Sequence, residues 1–260
     1  MKKIWCSVNK ENGVYLAEAD KIYLDQFRRS EKYRNLIDKN ASKDIKLELS
    51  VLPLHFIGDI TKSRVLVLSL NPGFNEKYKK FYEKNKATYE KTIEDNLTFK
   101  NPRFFEFDFY KTEGEGYWKR LKPLFPEKYE KIIQIGGGAN DAALDKYFKE
   151  NISLAEFFPY HSKSYTNCYD KLGENDTKKK DYLPSQKYVF NLIKNRIKDK
   201  DDDVSIIISR AKSKWFEAIH ELKNYPNCYI VSNPRNPSFE SENIMQCQFN
   251  KGKEIMAKIQ

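Results

Sequence analysis

Short apolar runs alternating with helix-length charged segments predict an α/β fold, a three-layer α/β/α sandwich around a central, mostly parallel sheet. Two observations carry this expectation. Val65-Leu66-Val67-Leu68-Ser69-Leu70 is a continuous apolar run ended by Asn71-Pro72-Gly73, the pattern of a strand buried on both faces. Further runs at Ile152 to Phe158, Val204 to Ile208 and Cys228 to Val231 are separated by segments long enough for crossover helices. The length of 260 residues suits a single large domain with a sizeable core.

The elements follow in order. A short N-terminal strand precedes Tyr15 to Ile37, where Leu16, Ala19, Ile22, Tyr23, Phe27 and Tyr33 recur at helical spacing, so residues 1–45 read as a strand and a helix packing on the domain. Leu47 to Ile60 reads as extended chain broken by Pro53 and Gly58. The Lys/Glu-rich stretch Glu76 to Asn96 is helix-forming, with Tyr78, Phe81, Tyr82 and Tyr89 as its apolar contacts. Asn101 to Tyr110 is dense in aromatic residues, and Tyr117 to Leu121 starts a shorter helix. Pro159 stops the strand that begins at Ile152, and Lys171 to Asp181 reads as an exposed charged loop. A helix at Ser185 to Asp199, an acidic turn, the Val204 strand, a helix at Lys212 to Leu222 and the Cys228 strand follow, with a closing helix beyond Glu242.

Composition narrows the class. Lys and Arg number 47 against 37 Asp and Glu, a net charge of +10, with an isoelectric point near 9.1 and a mean hydropathy of −0.77. Seventeen Phe, 17 Tyr and 3 Trp are far more aromatic surface than a disordered chain carries. No run reaches the ~18 apolar residues of a membrane span, and the start Met1-Lys2-Lys3-Ile4-Trp5-Cys6 lacks the apolar stretch of a signal peptide. A cytoplasmic monomer is expected, with a polyanion as its partner. Cys6, Cys168, Cys228 and Cys247 are scattered without a Cys-x-x-Cys pair, which predicts reduced structural thiols, no metal and no cofactor.

In open α/β sheets ligands bind beyond the carboxyl ends of the strands. Three such ends carry polar, rigid sequences: Asn71-Pro72-Gly73-Phe74-Asn75, Pro159-Tyr160-His161-Ser162 and Ser232-Asn233-Pro234-Arg235-Asn236-Pro237-Ser238. Leu68-Ser69-Leu70-Asn71-Pro72-Gly73 resembles the first motif of the uracil-DNA glycosylase superfamily, closest to its mismatch-specific and single-strand-selective branches, and Asn233 to Ser238 resembles the second motif, a His-Pro-Ser-type loop. The resemblance spans roughly residues 50 to 245. It implies a DNA glycosylase, which flips a base out of the stack and hydrolyses its N-glycosidic bond, leaving an abasic site.

The resemblance also implies roles. Asn71 matches the water-positioning residue, and Gly73 stands where the most uracil-restricted branch has a Tyr, so a pyrimidine 5-substituent finds room. Phe74 is the candidate stacking platform, with Phe99, Phe104 or Phe105 as alternatives. Glu156, three residues before Pro159, takes the place of an Asn that reads the base; a carboxylate only accepts hydrogen bonds, which suits the amino group of cytosine better than the O4 of uracil. A different spacing selects Ser153. The second motif lacks its His: the alignments on Asn233-Pro234 and on Asn236-Pro237 each offer an amide that can donate to the leaving base, with Asn236 the catalytic and Asn233 the base-binding candidate and both alignments open. Pro72, Arg235, Pro237, Ser238 and His161 are expected to contact DNA. No cysteine spacing fits the iron–sulfur cluster of two branches.

Two other readings stand beside this one. The missing His and motif carboxylate fit a non-catalytic nucleic-acid-binding protein of the same fold. The run Ile135-Gly136-Gly137-Gly138-Ala139-Asn140 suggests a nucleotide loop, although it lacks the Lys-Ser/Thr of a phosphate-binding loop.

Overall fold

The computed structural model describes residues 8–11, 13–39, 44–104, 121, 124, 151–199 and 203–247. Cys6, Phe105, the helix expected from Tyr117 and the glycine run at Ile135 to Asn140 lie outside these residues; of the closing helix expected beyond Glu242, the described part is instead a strand over Ile244–Gln246.

The chain opens with a hairpin of β1 (Val8–Glu11) and β2 (Val14–Ala17), followed by a 3-10 turn, α1 (Lys21–Arg29) and α2 (Glu31–Lys39). The single helix expected over Tyr15 to Ile37 is therefore a strand and two helices. Ser30 divides them: its backbone is extended, its hydroxyl donates to the Phe27 carbonyl (2.6 Å), and the same oxygen accepts from Tyr33 N–H (3.1 Å), ending one helix and starting the next. The stretch that reads as extended contributes β3 (Leu47–Glu48) and β4 (Phe56–Ile57), and β5 is Val65–Ser69.

The Asn75 carboxamide accepts from Tyr78 N–H (2.8 Å) and so caps α3 (Glu76–Leu97). After it come β6 (Ile152–Glu156) and β7 (His161–Ser162), then a small hairpin of β8 (Gly173–Glu174) and β9 (Lys180–Asp181) inside the expected loop. The rest is α4 (Pro184–Lys198), β10 (Ser205–Ile208), α5 (Lys212–Ala218), β11 (Cys228–Val231) and β12 (Ile244–Gln246).

Six strands form the central mixed sheet in the order β12-β11-β10-β5-β6-β4. The four inner strands run parallel, and β4 and β12 close the edges antiparallel. Every residue of β5, β6 and β10 is buried, as continuous apolar runs require of strands covered on both faces. One hydrophobic cluster extends from Tyr15 to Ile244 and takes in the N-terminal segment.

Two polar devices hold the layers in register. Asp20 is fully buried, accepts from Ser185 N–H (2.9 Å), from the Ser185 hydroxyl and from the Tyr160 hydroxyl (2.9 Å), and burial raises its carboxyl to about 6. At the far edge Asn96 of α3 accepts from Gly58 N–H (2.8 Å) and Arg103 N–H (3.1 Å). Gly58 has φ +80°, and a Cβ there would lie 2.6 Å from the Ile152 carbonyl oxygen. Gly58→Ala meets both a left-handed backbone and a collision with β6, so it is expected to destabilise the chain by about 2–4 kcal/mol in denaturant unfolding.

Candidate active site at the carboxyl edge of the sheet

Register brings the four parallel strands to a common end. Ser69 pairs with Glu156, Leu68 with Ile208 and Ile208 with Ile230, so the segments leaving β6, β5, β10 and β11 emerge side by side, neighbouring strands about 4.8 Å apart. The chain passes from β5 outward to β6, then returns to β10 and leaves in the other direction to β11. That reversal puts the switch point between β5 and β10, where a crevice is expected.

The first two strand-end loops are bonded to each other. Asn71 Nδ2 donates to Ser162 Oγ (3.0 Å) and to the Pro72 carbonyl (3.2 Å), Ser162 N–H donates to the same carbonyl (3.4 Å), and Gly73 forms a parallel bridge to Ser162. A carbonyl only accepts, so the atom facing Pro72 is the Asn71 nitrogen and the half-buried side chain keeps its oxygen for another donor. His161 Nδ1 lies 3.3 Å from the Gly73 carbonyl, which makes it the protonated ring nitrogen. The ring packs on Tyr78 (5.3 Å between centroids) and edge-on to Phe74 (6.3 Å).

These contacts place the expected residues. Asn71, Gly73, Phe74 and His161 come together. Gly73 is exposed, and a Cβ there meets nothing within 4 Å. Phe74 is half-buried beside Gly73, whereas Phe99 is stacked on Phe56 (5.4 Å) and Phe104 is buried. His161 is 1 % exposed, and Pro72 and Pro237 are also buried, so the expected DNA contacts of these three give way to support from beneath.

The two candidates on β6 separate. Ser153 pairs with Leu66 deep in the sheet and shares a 2.5 Å hydrogen bond with Ser63, while Glu156 ends the strand beside Ser69 and is 7 % exposed. Opposite it on the other side stands His55, which the sequence reading passed over. Phe56 pairs with Ala155, and Glu156 N–H donates to the His55 carbonyl (3.0 Å), so Ser69, Glu156 and His55 form a row across three strands. His55 is 3 % exposed with neither ring nitrogen hydrogen-bonded, and burial drives its imidazole down to about 3. Burial likewise lowers His161 to about 4 against the opposing pull of the Gly73 carbonyl. Both rings are neutral at pH 7.

The third loop meets the same edge from β11, two strands from β5. Asn233 Oδ1 accepts from the N–H groups of Arg235 and Asn236 (3.1 and 3.3 Å), so it serves the turn of its own loop. Asn236 and Arg235 are exposed, and the Ser238 hydroxyl accepts from Glu240 N–H and Asn243 Nδ2 (both 3.4 Å). Among the described residues no hydrogen bond joins this loop to Asn71 or Ser162. Between them, at the end of β10, stands Arg210, whose Nε is buried with no hydrogen-bond partner. The signal for Arg210 is its place two residues after β10, and for Ser162 its place in the polar segment that follows β6.

A cleft of about 410 Å³ opens on the flank where Phe157 packs against Phe190 and Trp215, with Lys32, Lys171, Lys180 and Lys214 around Asp170 and Glu217. Lys214 bonds Asp170 (2.5 Å) and Lys171 bonds Glu217 (2.6 Å), which leaves two cations in excess there. Among the described residues no cluster of His, Cys, Asp and Glu could hold a metal ion, and no helix is long and apolar enough to cross a membrane.

Comparison with protein-family models, curated proteins and solved structures finds no match. What the site does must follow from its own chemistry.

The buried histidines carry a pH signature. In the unfolded chain they protonate near 6.5, whereas the folded chain holds His55 and His161 neutral down to about 3 and 4. The unfolded state then binds more protons, so this stability is complete above pH 6.5 and is lost as pH falls toward 4. Asp20, raised from 3.8 to about 6, acts in the opposite sense, one proton against two. His55→Leu should reduce proton uptake on unfolding between pH 4 and 6 by about one and leave stability at pH 7 equal or higher, as measured by denaturant titrations across pH.

Proposed function

We propose that this chain is a DNA glycosylase with the three-layer fold of the uracil-DNA glycosylase superfamily, hydrolysing the bond between deoxyribose and a flipped pyrimidine. The observation that carries the proposal is the Asn71 carboxamide, whose nitrogen is held by Ser162 and Pro72 so that its oxygen is presented at the carboxyl edge of the sheet. An acceptor fixed in this way orients a water molecule toward C1′ as the sugar gains oxocarbenium character. Fixing it beforehand removes the cost of reorganising it during the reaction. The bond to the base breaks, water adds its oxygen to C1′, and the electron pair leaves with the base. Donors that face the departing base are available from Asn236 and from Arg210 at the switch point.

The base class follows from the neighbours of Asn71. Gly73 leaves space at the pyrimidine 5-position, Phe74 offers a ring to stack on, and Glu156 accepts from an exocyclic amino group. A 5-substituted cytosine meets all three conditions, which fits either base-excision repair or defence against phage DNA carrying modified cytosine. The cationic cleft beside Phe157 and the exposed Arg235 supply phosphate contacts. The enzyme would act as a cytoplasmic monomer without a cofactor.

Asn71→Ala should lower abasic-site formation by about 100-fold or more while DNA affinity stays within about twofold. If the wild type forms no alkali-labile sites on uracil, 5-hydroxymethylcytosine or glycosylated cytosine, in duplex or single strand, while both proteins bind DNA equally, the chain is a binding protein and not an enzyme. Glu156→Gln should shift preference from modified cytosine toward uracil in the same excision assay; unchanged preference removes Glu156 from base reading. Log affinity for DNA should fall linearly with log salt, and Lys32→Ala with Lys180→Ala should make that slope shallower by about two.

A further inference from the structure

The scattered cysteines are not all apart. Tyr229 pairs with Gln246 across β11 and β12, so the next pair outward is Cys228 and Cys247, and Cys247 N–H donates to the Cys228 carbonyl (2.8 Å). Their sulfurs, 19 positions apart in sequence, lie 2.9 Å from each other as free thiols. Directly opposed residues of an antiparallel pair have Cα separations of about 4.5–5.5 Å, inside the range a disulfide spans.

We propose that Cys228 and Cys247 are a covalent modification site, a dithiol that a hydroperoxide or a small disulfide converts reversibly into an intramolecular disulfide closing the chain around the Ser232 to Ser238 loop. The chemistry divides the two sulfurs. Cys228 is fully buried, and the neighbouring Cys247 thiol and burial push its own thiol well up. Cys247 is half-buried and so the more accessible of the two sulfurs, and its contact with Cys228 together with the Lys212 ammonium lowers its thiol. Cys247 is therefore the attacking sulfur.

With a hydroperoxide, the Cys247 thiolate attacks the outer oxygen, the O–O bond breaks, and the leaving oxygen takes a proton to become alcohol or water. The Cys228 sulfur then attacks the resulting sulfenic sulfur, the S–O bond breaks, and the hydroxyl departs as water with the Cys228 proton. Two thiols lose two electrons and the peroxide gains them. With a disulfide such as oxidised glutathione, Cys247 forms the mixed disulfide and Cys228 displaces the second thiol. Thiols restore the starting state by the reverse exchange.

The third strand-end loop lies inside the ring so formed, with the exposed Arg235 between the two cysteines. The test uses the full chain, treated in separate arms with hydrogen peroxide and with oxidised glutathione, then cut by trypsin at Arg235 and mapped with and without reductant. Both arms are expected to give a chain lighter by two hydrogens in which the peptides of Cys228 and Cys247 stay joined until reduced. Linking should be at least about tenfold faster in the native chain than in urea, because the fold holds the sulfurs together. The thermal midpoint should rise on oxidation and return with reductant. Cys247→Ser should abolish the link and the midpoint shift, with Cys6 and Cys168 reporting general thiol reactivity. Peptides that separate without reductant, a stable glutathione adduct on Cys247 with no cross-link, or equal linking rates in urea would each overturn the proposal.

Discussion

Strand β5 is the element on which the other parts depend. It is buried along its whole length, paired in parallel on one side with β10 and on the other with β6, and the register of those two ladders decides which residues end level with one another. A slip of one residue would turn every β5 side chain to the opposite face of the sheet. It would also move Asn71 out of reach of Ser162. The Val-Leu-Val-Leu core of β5 therefore does more than bury area. It sets the position of the catalytic candidate to within a hydrogen bond.

Rigidity at the edge is built from small contacts that share acceptors. The Pro72 carbonyl takes both the Asn71 carboxamide and the Ser162 amide, and Pro72 itself limits the backbone on which Asn71 sits. Two buried imidazoles lie at this edge in their neutral form, His161 bonded to Gly73 and His55, next to Glu156, without a hydrogen-bond partner on its ring. A buried polar group without a partner costs stability, and such costs collect where a structure serves something other than its own folding. His55 beside Glu156 fits that pattern better than any other buried residue described.

The inner strands were legible because a strand covered on both faces leaves an unbroken apolar run, and β5, β6, β10 and β11 all begin and end close to the runs that announce them. The helix from Glu76 was legible for the complementary reason, a charged face with aromatics at helical spacing. What escaped notice depended on partners distant in sequence. The joint at Ser30 is one hydroxyl serving two helices, a break that a single serine between apolar stretches does not announce. His55 looks like one more residue of an extended stretch until β4 is laid antiparallel on β6. Ser162 and Arg210 are ordinary polar residues until strand order puts them at the carboxyl edge of the sheet. Cys228 and Cys247 carry no spacing signature, since antiparallel pairing and not a short motif brings them together. Asn71, Gly73 and Phe74 could be named from sequence because they are contiguous and follow a strand whose end was clear.

The Asp20 carboxylate has a consequence for how the chain assembles. Helix α4 begins after Leu183, a residue with no side-chain acceptor, and its Ser185 amide is satisfied by Asp20 from 165 positions away. The first turn of that helix is thus capped by the opposite end of the protein. Because Tyr160 bonds the same carboxylate, the N-terminal segment, the exit of β6 and the start of α4 reach their final arrangement together. The opening residues act as a clasp that waits for the middle of the chain to be made, so cooperativity here is carried by one of the longest-range contacts in the fold.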